Sequence, residues 1–426
     1  MNKPLRMIVV GMGARAMIYA REALLHPDLF CIAGVVDVNL DRIRTAQQLF
    51  RIPDSHCFTS VEELTAVPRF ADAVINGTMD PQHVATTIPL LRHGYDVLLE
   101  KPFAVNQKEA DLLLRYADET GRIVMVCHVL RYAPFYREIQ EVLNSGEIGK
   151  VIHIHMNEQV SYFHESVSYV RGKYASPELC GSGMLLSKCS HDLDIMAWLM
   201  KGNLPKTVSS VGSVIQFLPE MAPEHAGTHC LLNCPAERDC IYSAKRLYIE
   251  NPQRWANNIW HDIGANSPTK AEKIRLLHNI DNPYSRCVYR CGLKIVDHQS
   301  ILIQFSDGAT GTFSMNGGAS ASARNIHITG TKGEIIGNFE SESFTVHKIS
   351  PESPGGRTSR IIDVSKDQHG NPHGNGDQAI VQDFLSILKG EPCSSCCTTL
   401  ADSMVGHKLV FLAEASREKG GEIQRY

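Results

Sequence analysis

The run Gly11-Met12-Gly13-Ala14-Arg15-Ala16 fits the spacing G-x-G-x-x-A and lies between an apolar run, Leu5–Gly11, and a helical segment, Ala14–Leu25. That is the layout of a phosphate-binding turn. Gly11 permits the tight bend, Gly13 lets the backbone approach a pyrophosphate, and Ala16 lets the helix pack close to the strand. The helix N-terminus, with Ala14 and Arg15 in its first turn, then faces the negative charge. Asp37 closes the next apolar run, Phe30–Val38. A carboxylate there accepts hydrogen bonds from both ribose hydroxyls and repels a 2′-phosphate, so NAD(H) is expected over NADP(H), with Arg42 as the one nearby cation that could favour NADP(H). The alternative is a glycine turn in an α/β domain that holds no cofactor.

Lys101 sits in Glu100-Lys101-Pro102, which terminates Val97-Leu98-Leu99. Ligands of open α/β sheets lie beyond the carboxyl ends of the strands, so Lys101 is expected to project toward the cofactor crevice. An amine partly buried beside a positive nicotinamide ring has its pKa drawn toward neutrality, which suits proton transfer as an alcohol loses hydride. A lysine read by itself is more often a solvated surface group. Asn76, Thr78, His83 and Glu100, near the ends of neighbouring strands, are further candidate cofactor contacts.

These residues need a scaffold of alternating elements, and the first 150 or so positions supply one. Strand-like runs at Leu5–Gly11, Phe30–Val38, Ala71–Gly77, Asp96–Glu100 and Arg122–His128 alternate with helical segments at Ala14–Leu25, Leu40–Phe50, Pro81–His93 and Gln107–Thr120. Repeated βα units with apolar strands predict a parallel sheet covered on both faces. From Lys150 on, strands dominate: Val151–Val160, Val208–Phe217, Ser300–Phe305, Thr310–Asn316, Arg324–Gly330, Gly333–Phe339 and Ser343–His347. Several alternate in polarity, which predicts an antiparallel sheet with one less buried face. Helices are expected at about Ser190–Met200, Gly376–Leu388 and Thr399–Lys419, the last opened by a Thr399/Asp402 capping box. Ser350–Asn375 reads as a loop. The expected division is α/β followed by α+β: residues 1–128, a parallel-sheet dinucleotide domain, and 129–426, a substrate and oligomerisation domain with an open, mostly antiparallel sheet, C-terminal helices and an insertion at about 219–297.

Met7–Ala16, Asp37, the run from Asp80-Pro81-Gln82-His83 to His93-Gly94-Tyr95-Asp96-Val97, and Glu100-Lys101-Pro102 resemble the Gfo/Idh/MocA oxidoreductases. His128–Pro134, Gly146–Val151, Gly181-Ser182-Gly183, His191–Asp194, Gly330–Glu334 and His373–Asp377 continue the likeness over nearly the whole chain except Pro219–Asp297. The resemblance implies an NAD(P)-dependent enzyme acting on sugars, cyclitols and related alcohols, assembled as a homodimer or homotetramer through the outer sheet face. It places the family lysine on Lys101 and the family histidine on His191, at the start of a helix, as proton-transfer residues. Alone, His191 reads equally as a satisfied helix-start histidine. The family often carries an aspartate four residues before that histidine; here that position is Ser187, followed by Lys188, so either Lys101 and His191 manage proton transfer together or Lys188 enters the site. His128, Arg131, Ser187, Lys188, His373 and Asp377 are candidate substrate contacts, although Arg131 could instead only join the two domains and His373–Asp377 could be an ordinary turn.

The insertion carries Cys230, Cys234 and Cys240 in a C-x3-C-x5-C spacing, with Cys287 and Cys291 further on. Thiolates held together in a reducing compartment suggest a structural zinc site, for which Cys230, Cys234, Cys240 and Cys291 are the candidate ligands. The spacings match neither common ferredoxin pattern, and buried free cysteines behave as small hydrophobes. Trp255 and Trp260 either form a lid over a sugar ring or supply the insertion's own core.

A formal net charge of -4 with no long basic block gives no support to a nucleic-acid partner. No apolar run reaches the length of a membrane span. The N-terminal residues lack the pattern of a secretory signal, so a cytoplasmic location is expected. Three functions compete: net hydride transfer on a sugar, sugar derivative or cyclitol; glycoside cleavage or epimerisation in which bound NAD oxidises the sugar and re-reduces it within one cycle; and a non-catalytic NAD-binding regulator, against which Lys101 and His191 argue.

Overall fold

The computed structural model describes residues 3–250, 252, 255–256, 259–260, 263–265, 267–368 and 373–426. Six parallel strands form the first sheet: β1 Leu5–Val10, β2 Phe30–Val36, β3 Cys57–Phe58, β4 Ala73–Asn76, β5 Asp96–Leu99 and β6 Val124–Val126, in the order β3-β2-β1-β4-β5-β6. Alternate β1 side chains enter different cores, Met7 and Val9 one and Ile8 and Val10 the other. Met7–Val10 is wholly apolar because both sheet faces are covered there. Covering helices include α1 Ala14–Leu25, α2 Leu40–Phe50, α3 His83–Arg92 and α4 Gln107–Thr120. Strand order reverses between β1 and β4, which opens a crevice above the glycine turn.

After α5, Pro134–Asn144, the chain builds a nine-stranded sheet from β7 Val151–Ser161, β8 Pro205–Ser213, β9 His298–Phe305, β10 Thr310–Ala319, β11 Ala323–Gly330, β12 Gly333–Asn338, β13 Ser343–Ile349, β14 Arg357–Asp363 and β15 Gln424–Arg425. Its order is β14-β13-β12-β11-β7-β10-β9-β8-β15, antiparallel except where β7 meets β10. Ile154, Met156, Ile303, Phe313 and Ile328 bury one face, while His153, His155 and His327 on the other are partly exposed. The alternation read from the sequence has this cause.

Three expectations shift. Helix α6 runs Met184–Leu199, starting directly after Gly181-Ser182-Gly183, so His191 lies within a helix and not at its start. Strand β8, Pro205–Ser213, starts and ends a few residues before the expected Val208–Phe217 and overlaps it. Strand β14 occupies part of the expected loop; it is an almost wholly exposed edge strand and so lacks an apolar face to betray it. Helices α7 Gly376–Leu388 and α8 Leu400–Glu418 close the chain, with the Thr399 hydroxyl accepting from the Asp402 N–H. The insertion has its own apolar core, which contains Trp260, Tyr248, Ile259 and Leu277. Trp260 is thus a core residue, while Trp255 stacks on His164 with ring centroids 4.1 Å apart.

Arg131, just past β6, makes a bidentate, buried pair with Asp194 of α6, at 2.7 and 2.6 Å. It joins the two sheet systems, and a further guanidinium N–H donates to the Cys397 carbonyl. Removing one partner of such a pair leaves an uncompensated buried charge. Arg131→Met is therefore expected to lower unfolding free energy by about 3–5 kcal/mol, and Arg131→Met with Asp194→Leu to recover much of it. Denaturant unfolding of the two variants checks this.

Candidate active site

The glycine turn is built for close approach. Gly11 has φ +79°, and a Cβ there would meet the Gly77 carbonyl oxygen and Thr78 nitrogen at 2.8 Å. Gly77 is glycine for the same reason: its own Cβ would stand 2.7 Å from that of Ala16. Gly13 precedes α1 with no side-chain cap, and the first turn holds no acidic residue. The N–H groups of that turn are thus left for an anion, which fits a dinucleotide pyrophosphate. Asp37 is buried at the end of β2, accepting from the Met12 N–H at 2.7 Å and the Asn39 N–H at 2.8 Å. Each oxygen keeps a further lone pair for a ribose hydroxyl. Arg42 lies 3.7 Å from Asp37 and is engaged with it.

Asn76 organises the next turn, donating to the Thr86 and Thr87 hydroxyls and accepting from the Thr78 N–H and hydroxyl. The ring nitrogens of His83 face the Pro102 carbonyl at 2.7 Å and the Thr78 carbonyl at 3.0 Å. His83 therefore staples this turn to the Lys101-Pro102 step, whose peptide bond is cis.

Glu100 accepts from Arg15 Nε at 2.9 Å, the Tyr19 hydroxyl at 2.6 Å and the Lys101 N–H at 2.9 Å. Burial pushes its carboxyl up, but Arg15, the Tyr19 hydrogen bond and Lys101 outweigh it and hold the group below the usual carboxylate range. Arg15 also donates to Tyr19 and, at 2.5 Å, to Asp377 of α7. Asp377 in turn faces His373 Nδ1 at 2.9 Å. Although burial alone would raise the Asp377 carboxyl, these partners keep it far below its ordinary value.

The Lys101 Nζ donates to the Ser187 carbonyl oxygen at 2.6 Å. Ser187 thus contributes its backbone, its hydroxyl being bonded to the Gly183 carbonyl. Burial lowers the Lys101 pKa, Lys188 and Arg15 lower it further, and Glu100 and Asp80 oppose without prevailing. His191, one turn along α6, is buried with Nδ1 lacking a partner among the described residues. Burial, and then the Lys101 charge, hold it well below the ordinary imidazole value, so it is neutral near pH 7. His128 lies beside it, rings 5.7 Å apart, and His373 on its other side at 6.2 Å. His128 is likewise held well below its ordinary value by burial.

Lys188 pairs with Glu158 at 3.1 Å, and Glu158 with Arg324 at 2.7 Å; Arg324 also holds Asp192 at 2.8 Å. Sequence reasoning named Lys188 but missed its partners Glu158 and Arg324, as well as Tyr19 and the role of Asp80. Only the polar residues on the buried-face phase of β7 and β11 could have signalled Glu158 and Arg324. Asp80 is a buried carboxyl raised by desolvation, with one oxygen unpartnered among the described residues, and it feels the Lys101 charge.

Among the described residues, no three His, Cys, Asp or Glu side chains gather closely enough to hold a metal ion. That overturns the zinc reading of Cys230, Cys234, Cys240 and Cys291. Cys291 Sγ instead donates to the Cys287 carbonyl at 3.2 Å. No helix among the described residues is long and apolar enough to cross a membrane.

Residues 5–128 match the family model described as an oxidoreductase family with an NAD-binding Rossmann fold, and residues 136–240 match the GFO/IDH/MocA C-terminal domain. The Bacillus subtilis (strain 168) protein YteT is 25% identical over 381 residues, covering 83% of this chain and 82% of YteT. The 2,7-anhydro-N-acetylneuraminate hydratase of Mediterraneibacter gnavus is 30% identical over 141 residues, only 33% of this chain and 36% of the hydratase. A solved levoglucosan dehydrogenase, complexed with NADH and levoglucosan, superposes with TM-score 0.70 at 16% identity over 99% of both chains.

Lys188 is a lever on Lys101. Removing it takes away a like charge and leaves Glu158 to Arg324 alone, and both changes raise the Lys101 pKa. In Lys188→Ala, the limb of the kcat/KM profile that rises with pH in the oxidative direction is expected to move to higher pH.

Proposed function

The chain belongs to the Gfo/Idh/MocA family of NAD-binding oxidoreductases, and from that premise we propose that it moves hydride between nicotinamide and a hydroxyl-bearing carbon of a sugar, sugar derivative or cyclitol, with Lys101 and His191 handling the hydroxyl proton. The observation that carries this reading is the placement of Lys101. Its amine is anchored at 2.6 Å on the Ser187 carbonyl, shifted toward neutrality by burial, and adjoined by a neutral histidine. Once deprotonated, an amine that gives one N–H to a fixed carbonyl has its lone pair directed elsewhere, toward an incoming hydroxyl. His191 can then share that hydroxyl through a ring nitrogen, neutral and so able to donate or accept.

Gly11, Gly13, Ala14, Ala16 and Asp37 would hold the dinucleotide, which when bound supplies the hydride acceptor. Arg15, Glu100 and Asn76 fix the turns around it through the bonds described above. Lys188 and Asp377 border the substrate cleft, with His373 and His128 as further walls. The homo-oligomer and the cytoplasmic location expected from the sequence remain part of this proposal.

A second reading is favoured by the hydratase relative: hydride taken from a sugar carbon and returned within one cycle, with a substituent eliminated or water added between. Lys101 and His191 serve that chemistry too, since abstraction of an acidified neighbouring proton needs the same base.

The test follows NADH and carbonyl product together across a sugar, cyclitol and glycoside panel with added NAD+. Stoichiometric NADH and ketone, reduced at least about 100-fold in Lys101→Ala, is expected. Product released without net NADH would establish the second reading, and NAD binding without turnover on any substrate would sink both.

A further inference from the structure

Three ring nitrogens without partners lie together behind the candidate active site. His128 Nδ1, His128 Nε2 and His191 Nδ1 are all buried, and none makes a hydrogen bond among the described residues. The two rings meet edge to face, with centroids 5.7 Å apart. Buried polar atoms are nearly always paired, so three orphans in one place call for a physical cause. Burial keeps both rings neutral near pH 7. A neutral imidazole carries one N–H and one lone pair, so each ring can supply what the other lacks.

The surroundings fix which nitrogen carries which hydrogen. His128 precedes the turn Val129–Tyr132 that carries Arg131. Asp194 follows His191 by three residues on α6, so the two share one helix face. His128 Nε2 lies 3.8 Å from Asp194 Oδ1, on a carboxylate already held by Arg131. An ionised carboxylate only accepts, so the His128 hydrogen belongs on Nε2 and its lone pair on Nδ1. His407, edge-on to His128 at 5.3 Å, is committed elsewhere: its Nε2 accepts from the Phe103 N–H at 3.3 Å, and its Nδ1 hydrogen is turned to the Ser403 backbone. That leaves His191 as the ring whose hydrogen the His128 lone pair can take.

We propose that His128 is a positioning residue: backed by Asp194, it accepts the Nδ1 hydrogen of His191 and so presents the His191 Nε2 lone pair to the substrate hydroxyl. This role rests on Lys101 and His191 being the proton-transfer pair, and it fixes whether His191 donates or accepts. A partner on one ring nitrogen determines what the other can do. While Lys101 is protonated, the hydroxyl accepts from its amine and donates to His191 Nε2. Once Lys101 has lost its proton, the hydroxyl hydrogen lies between two lone pairs. It passes to the lysine as the hydride leaves the carbon for nicotinamide. His191 keeps its hydrogen on Nδ1 throughout and undergoes no change of charge.

The experiment reads histidine tautomers by NMR in the full chain, isotopically labelled at the imidazole nitrogens and saturated with NAD+. His191→Gln identifies the His191 signals. The wild type is expected to hold His191 in the Nδ1–H form. His128→Phe keeps a ring but offers no nitrogen. In it that form should give way to the Nε2–H form, and turnover of the panel substrate should fall about 10- to 100-fold, with kcat rather than KM carrying the loss. His128→Asn, whose amide can place an oxygen near the position of Nδ1, should keep the Nδ1–H form and much of the rate. A wild-type His191 in the Nε2–H form overturns the proposal, as does one tautomer shared by wild type and His128→Phe. Equal losses in His128→Asn and His128→Phe overturn Nδ1 as the acceptor. A chain that turns over no substrate sinks the reading of Lys101 and His191, whereas the spectra still decide the role of His128. Should His128→Phe fail to fold, the wild-type spectrum and His128→Asn decide.

Discussion

The arrangement around Lys101 depends on one guanidinium. Arg15 stands between Glu100, at the end of a parallel strand, and Asp377, on a helix of the second unit. Both carboxylates are buried, and neither could keep its charge there alone. With Arg15 between them they stay ionised, and Glu100 keeps a negative charge next to the lysine. The same contacts lock α1, and hence the glycine turn, to the loop carrying His373. The glycine turn, the strand end that carries Lys101 and the loop that carries His373 are thus coupled through one cation.

A second charge network sets the tone of the opposite wall. The Ser187 position lacks the carboxylate often found there in the family, yet acid is not missing from the cleft. Glu158 on β7 neutralises Lys188, and Arg324 on β11 neutralises Glu158 and Asp192 together. Lys188 therefore enters as half of an ion pair, which tempers its effect on Lys101 without abolishing it. Desolvation is the largest influence on Lys101, and the neighbouring charges adjust its result.

The parallel sheet was legible because burial on both faces leaves apolar runs punctuated by turns, and the glycine turn because its spacing follows from steric needs. Lys101 was legible from its place at a strand end. Less visible was anything set by distant contacts. Arg131 has the same sequence environment whether it faces a substrate or Asp194, and only the fold shows the latter. Ser187 invites a hydroxyl role, but the helix directs its carbonyl to Lys101 instead. The start of α6 lies earlier than the sequence predicts because Met184–Cys189 is buried on nearly every side and so carries no one-sided apolar stripe of the kind that marks a surface helix.

That early start of α6 matters for chemistry. Had the helix begun near Ser190, His191 would sit in its first turn, close to unpaired backbone N–H groups. Seven residues into the helix, it is instead enclosed by neighbouring turns and by His128 and His373, and water does not stabilise its charged form. Of the two proton-transfer candidates, His191 is thus fixed as the neutral partner, and Lys101, with Glu100 and Asp80 offsetting part of its burial, remains the group able to change charge. Under the proposed function, a hydroxyl held between them would meet one adjustable base and one constant dipole, and the direction of proton flow would be set mainly by the lysine.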